Sequence, residues 1–132
     1  MVLGWPVRVF KSKWFARYAR REQITEKSLS EAIARAELGL IDADLGGGLI
    51  KQRVARKGQG RSGGYRMIVA YRARNRAVLL FGFAKNEREN IESDELVFLR
   101  RLAENWLAAD SATIQAEIEA GNLQEVKDGE ED

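Results

Sequence analysis

The sequence contains neither cysteine nor histidine. The first absence excludes disulfides, thiolate nucleophiles and zinc-finger sites. The second excludes Ser–His triads and a histidine general base. A metal would have to be held by carboxylates alone, and no clustered Asp/Glu motif supplies such a set, so neither a metal nor a cofactor is expected. No apolar run approaches the roughly 20 residues that a membrane span needs. The opening segment MVLGWPVRVFKSKWF has only a short apolar stretch and no signal-peptide pattern. A cytoplasmic protein with no membrane partner is the expectation. Acidic residues are also missing, wholly, from Lys51 to Lys85.

What is present fits one domain: 132 residues, 45% hydrophobic and 32% charged. The net charge of +2 conceals a strong asymmetry. The acid-free run carries Lys51, Arg53, Arg56, Lys57, Arg61, Arg66, Arg72, Arg74, Arg76 and Lys85. The C-terminal end is the reverse, with Glu117, Glu119, Glu125, Asp128, Glu130, Glu131 and Asp132 against Lys127. A domain over residues 1–120 with an acidic, disordered tail over 121–132 is expected. A basic centre suggests a polyanionic partner, of which phosphate is the commonest; a merely solubilising surface is the alternative.

Hydrophobic periodicity divides the chain into short elements. Val7 to Phe10 predicts a strand, and Ser12 can cap a helix over 13–21. Trp14, Phe15 and Tyr18 lie at helical spacing in that helix and are read as core rather than as a base-stacking platform. Thr25 opens a second helix with Leu29, Ile33 and Ala36 on one face, closed by Gly39. Residues 40–48 are read as a connection. Three β segments follow, over 49–55, 65–72 and 77–84, joined too closely for helices, so they predict an antiparallel meander. Residues 58–64 would be a mobile loop and Arg74-Asn75-Arg76 a tight turn. Ser93 is read as the cap of a helix reaching Leu107, and Asp110 or Ser111 as the cap of a shorter one ended by Gly121.

Gly58-Gln59-Gly60-Arg61-Ser62-Gly63 has the letters of a dinucleotide-binding loop. That motif needs a helix behind it and an acid about 20 residues on. A strand follows here, and the next acid is Glu87. A hairpin loop is the better reading, whose N–H groups and cations could still meet phosphate.

The basic hairpin running into Gly63-Gly64-Tyr65-Arg66, and the strand closing in Phe83-Ala84-Lys85-Asn86-Glu87, resemble the RelE/ParE toxin superfamily, closest to its RelE- and HigB-like branches. The resemblance spans about residues 7 to 107 and includes the opening Lys11 to Phe15. It implies an α+β domain: a small twisted antiparallel sheet with two N-terminal helices packed on it, followed by C-terminal helices. It implies the toxin of a type II toxin–antitoxin system, an endoribonuclease that cuts mRNA on the ribosome by attack of a 2′-hydroxyl on the adjacent phosphate. A cognate antitoxin with a helix-turn-helix DNA-binding domain would be its partner, beside ribosome and mRNA.

The motif match carries the catalytic role onto Arg66 and Lys85, and more loosely onto Lys51 and Arg53. Arg56, Lys57, Arg61 and Arg72 are the candidate RNA-phosphate contacts. Guanidinium and ammonium groups suit a phosphate that gains charge during in-line attack. By alternation Tyr65, Met67, Val69 and Tyr71 share one face, opposite Arg66 and Arg72, which favours core packing for the tyrosines. Some family members use a histidine or a C-terminal tyrosine; this chain has no histidine, and its last tyrosine is Tyr71. A gyrase-inhibiting toxin of the ParE type and a non-enzymatic nucleic-acid-binding protein are the alternatives.

Overall fold

Ser12 both ends the first strand, β1 (Arg8–Ser12), and caps the first helix, α1 (Lys13–Glu22), its hydroxyl accepting from the Phe15 N–H at 3.1 Å. Thr25 does the same for α2 (Glu26–Glu37), accepting from Ser28 N–H at 3.1 Å. These side chains satisfy N–H groups that a helix start leaves without intrahelical partners. The structure is a computed structural model that describes residues 7–56 and 60–126.

The remaining elements are β2 (Ala43–Gly46), β3 (Leu49–Arg56), β4 (Gly60–Arg72), β5 (Arg76–Ala84), α3 (Ser93–Ala108), α4 (Ser111–Glu119) and β6 (Leu123–Glu125). They form an α+β fold around one six-stranded sheet of order β2-β3-β4-β5-β1-β6. The expected meander is β3-β4-β5, each pair antiparallel. The sheet as a whole is mixed rather than antiparallel, because β1 runs parallel to β5, with Phe10 opposite Val78. That pairing joins segments nearly 70 residues apart, and strand periodicity carries no information about so distant a neighbour.

Four further expectations change. The connection over 40–48 contains β2, which pairs with β3 and closes through Gly47 and Gly48, both at positive φ. Within the loop expected over 58–64, β4 already begins at Gly60; residues 57–59 lie outside the described part. Within the segment expected as an acidic tail from 121, Leu123–Glu125 pair with β1 and Leu123 is buried. Residues 127–132 of that expected tail lie outside the described part. Glu92, not Ser93, caps α3, in a reciprocal capping box with Glu95.

Both faces of the sheet are covered, which explains the near-continuous apolar run of β5. On one face α1 and α2 pack Phe15, Tyr18, Leu29 and Ile33 against Val54, Met67 and Val69. On the other, α3 and α4 place Leu99, Ala103, Leu107 and Ile114 over Leu49, Ala70 and Val78. Tyr65 and Tyr71 belong to the first face and are buried there. Among the described residues, no helix is long and apolar enough to cross a membrane.

Candidate functional site

Strand register assembles a cationic row. Leu49 and Ile68 both point into the core under α3. The pleat therefore turns Lys51 and Arg53 of β3, and Arg66 of β4, toward the same side. Across the sheet Arg53 is opposite Arg66, and Arg66 is opposite Phe83; one step along, Lys51 is opposite Ile68, and Ile68 opposite Phe81. Three of the four residues expected to act in chemistry thus stand side by side on adjacent strands. Like charges so placed oppose folding, a cost that a structural role alone would not explain.

Arg66 is the most constrained of them, at 7% exposure. Burial, and then the neighbouring Arg53, pull its guanidinium below the ordinary arginine value, while Asp42 and Glu89 push the other way. Arginine stays charged at any physiological pH, so the fold holds a desolvated cation beside a second one. Arg53 is exposed, and its backbone is fixed from outside the sheet. Its N–H donates to Asp42 Oδ2 at 2.7 Å, and its carbonyl accepts from Arg35 Nη2 at 2.7 Å. Lys51 is half-buried, its Nζ donating to Asn90 Oδ1 at 3.3 Å. Lys85 lies in the turn just after β5, exposed, with its backbone N–H bonded to the Gly64 carbonyl at 3.1 Å. That bond places it two positions from Arg66 along the facing strand.

The expected phosphate contacts divide. Arg56 is the last residue of β3 and Arg61 the second of β4; Lys57 lies outside the described residues. Arg72 does not join them. It sits six residues from Arg66 on β4, about 20 Å at the usual rise of a strand. Its guanidinium donates to the Leu107 carbonyl at 2.9 Å. Arg76, opposite it, donates to the carbonyls of Trp106 and Ala109, both at 2.7 Å. Together they bond carbonyls at the end of α3, at the far end of β4 from Arg66.

Two neighbours escaped the sequence reading. The Arg88 guanidinium lies over the rings of Phe81 and Phe83, at 5.9 and 5.4 Å from their centroids, and is ion-paired with Glu95. Asp42 anchors Arg53 as described. Arg88 was hidden in a polar turn rich in glutamate; the alternation of Phe81, Phe83 and Lys85 was the available signal. Among the described residues no three His, Cys, Asp or Glu side chains gather as a metal-binding group.

A row of cations with one buried arginine can hold a phosphate and stabilise added charge on it. A family model described as the RelE toxin of the RelE/RelB toxin–antitoxin system matches residues 7–126. The chain belongs to the RelE toxin family. The match covers the whole described fold from β1 through β6, including the last strand that the acidic composition of the C-terminal end had obscured. No curated protein matches the sequence. As a RelE-family member the chain is the toxin of a toxin–antitoxin system, and a cognate antitoxin is its partner.

Proposed function

We propose that this RelE-family toxin is an endoribonuclease that cleaves mRNA on the ribosome, with Arg66, Arg53, Lys51 and Lys85 as its working groups. The observation that carries the proposal is the buried Arg66, set in the strand register between Arg53 and Phe83. In the reaction the 2′-oxygen of the nucleotide attacks the adjacent phosphorus and the bond to the 5′-oxygen breaks. The fragments carry a 2′,3′-cyclic phosphate and a 5′-hydroxyl. Charge grows on the non-bridging oxygens during attack. Arg66 and Arg53, already oriented by the sheet, stabilise it without reorganisation. Lys51 and Lys85 are the amines that exchange protons with the attacking and leaving oxygens. Arg88, lying over Phe81 and Phe83, adds a further cation beside the row. The antitoxin neutralises the toxin by covering this row, most economically with acidic groups that meet the desolvated cations.

The test is a reconstituted translation reaction programmed with one defined mRNA. The purified toxin should cut the message only when ribosomes are translating it, and should leave gyrase supercoiling unchanged. Intact mRNA together with inhibited supercoiling would assign the fold to gyrase poisoning instead. RNA binding with neither effect would leave only a nucleic-acid-binding protein.

A further inference from the structure

The three aromatics of α1 have different fates. Phe15 and Tyr18 are buried, whereas Trp14 is 42% exposed. Its ring is stacked on Tyr18 with centroids 5.1 Å apart, and it lies 4.6 Å from Phe81. Phe81 in turn is 6.3 Å from Phe83, the residue opposite Arg66. A chain of ring contacts therefore links buried Phe83, beside the cationic row, through half-buried Phe81 to the exposed indole at the edge of the sheet, with the Arg88 guanidinium over the two phenylalanine rings.

Cations continue where the aromatics end. Lys13, Arg17 and Arg20 recur at helical spacing on the exposed side of α1 and line one depression between α1 and β6. None of the three has an ion-pair partner among the described residues. The one carboxylate in the depression, Glu125, is held by Arg8 at 2.9 Å. Arg17 is three residues from Trp14, so the two side chains are neighbours on the helix surface. Positive charge beside an exposed ring is the combination by which proteins hold single-stranded nucleic acid, since every base has a face to stack and every linkage a charge.

We infer that Trp14 is a base-stacking residue, and that Lys13, Arg17 and Arg20 hold the phosphates of the same RNA strand after it leaves the cationic row. The inference rests on the reading of that row as an RNA site. It gives the RNA a path with a direction, from Arg66 past Arg88, which lies over Phe83 and Phe81, to Trp14 and then along α1. An apolar groove of about 490 Å³, walled by Trp14, Phe81, Phe98 and Trp106, opens on the same edge. A protein segment seated there is the competing occupant. The unpaired cations favour RNA, because an apolar segment gains nothing from them.

The test measures anisotropy of a fluorescein-labelled single-stranded RNA of roughly a dozen nucleotides, a length within the span of such sites, bound by the full-length toxin over a salt series. Trp14→Ala should weaken binding roughly tenfold with an unchanged salt dependence, since stacking releases no counterions. Trp14→Phe should bind like the parent protein. Trp14→Leu, which still covers Tyr18 but cannot stack, should behave like Trp14→Ala, separating stacking from packing. Arg17→Ala and Arg20→Ala together should weaken binding and flatten the dependence of log K on log salt by about 0.7 per cation removed. Unchanged affinity in a Trp14→Ala protein of normal melting temperature would overturn the inference, and so would weakened antitoxin binding with RNA binding intact. Binding is read here without ribosomes or cleavage. A toxin that fails to cut mRNA in translation overturns the catalytic proposal whatever Trp14 does, and an indifferent Trp14 overturns this inference while cleavage stands.

Discussion

Replacing Arg66 by methionine should abolish growth arrest while leaving the melting temperature equal to or above that of the parent protein. Methionine retains much of the arginine's apolar volume and removes its charge. Arg66 is 7% exposed, and burial and then Arg53 hold the pKa of its guanidinium below the ordinary value even against Asp42 and Glu89. A downward shift in a base means that the fold is less hospitable to the charged form than water is. Removing the charge therefore relieves the folded state. The same charge is what an anionic transition state needs, already oriented and already desolvated. Loss of one such donor typically costs on the order of 10²–10³ in rate. Stability maintained and cleavage lost, in one variant, is the signature of a residue kept for function. Arg72→Ala is the matched control from the same strand. Arg72 bonds the Leu107 carbonyl, so its loss should lower stability by about 1 kcal/mol and leave growth arrest in place. Thermal melts and plate assays of the two variants decide the matter. A toxic Arg66→Met, or a toxin silenced by Arg72→Ala at normal stability, would show that the working cations had been assigned to the wrong end of β4.

The largest loss of stability from a single polar substitution should come from Gln52→Leu. Gln52 is fully buried on β3. Its Oε1 accepts from the Asp42 N–H at 2.8 Å, and its Nε2 donates to the carbonyls of Ala32 at 2.9 Å and Leu40 at 3.3 Å. One amide thus joins α2, the segment that follows it, and the sheet. Leucine fills the space and makes none of these bonds, leaving backbone groups without partners at about 1 kcal/mol each. The expected cost is about 3 kcal/mol, or roughly a 10 °C fall in melting temperature for a domain of this size. Activity should fall less steeply than in the Arg66 variant, through looser anchoring. Asp42 orients the Arg53 backbone by its 2.7 Å bond, and Gln52 fixes Asp42. A melting temperature within a degree or two of the parent would mean that the three segments are held by apolar packing alone.

The meander and its faces were legible because alternation is a local signal. Leu49, Lys51 and Arg53 against Ile50, Gln52 and Val54 set which side each residue takes before any partner is known. The caps Ser12, Thr25 and Asp110 marked helix starts for the same reason, each acting within three residues. What escaped is non-local or too short. Ala43–Gly46 has no β-branched residue, and Leu123–Glu125 offers one alternation, so β2 and β6 exist because an edge was available to pair with. The parallel β1·β5 pair left no local trace. In the site, composition identified Lys51, Arg53 and Arg66 as members of an acid-free run, and register brought them together. Arg72 belongs to the same run but stands at the far end of β4, and charge counts do not record position along a strand. Trp14 was grouped with Phe15 and Tyr18 by spacing; a helix edge set over the end of a short β1 separates them.

The central claim is that the cationic row promotes attack by the 2′-hydroxyl of the message. It is tested most directly by removing that hydroxyl. In a reconstituted translation reaction, the message would carry one 2′-deoxynucleotide at the position mapped as the 5′ side of the cut. Ribosome occupancy is unchanged by the substitution, and the row can still bind the phosphate. The account predicts that this message stays intact at the modified position, while the all-ribose control is cut there and yields a 2′,3′-cyclic phosphate. Cleavage of the deoxy-substituted message at the same position would contradict it, because the nucleophile would then have to come from elsewhere.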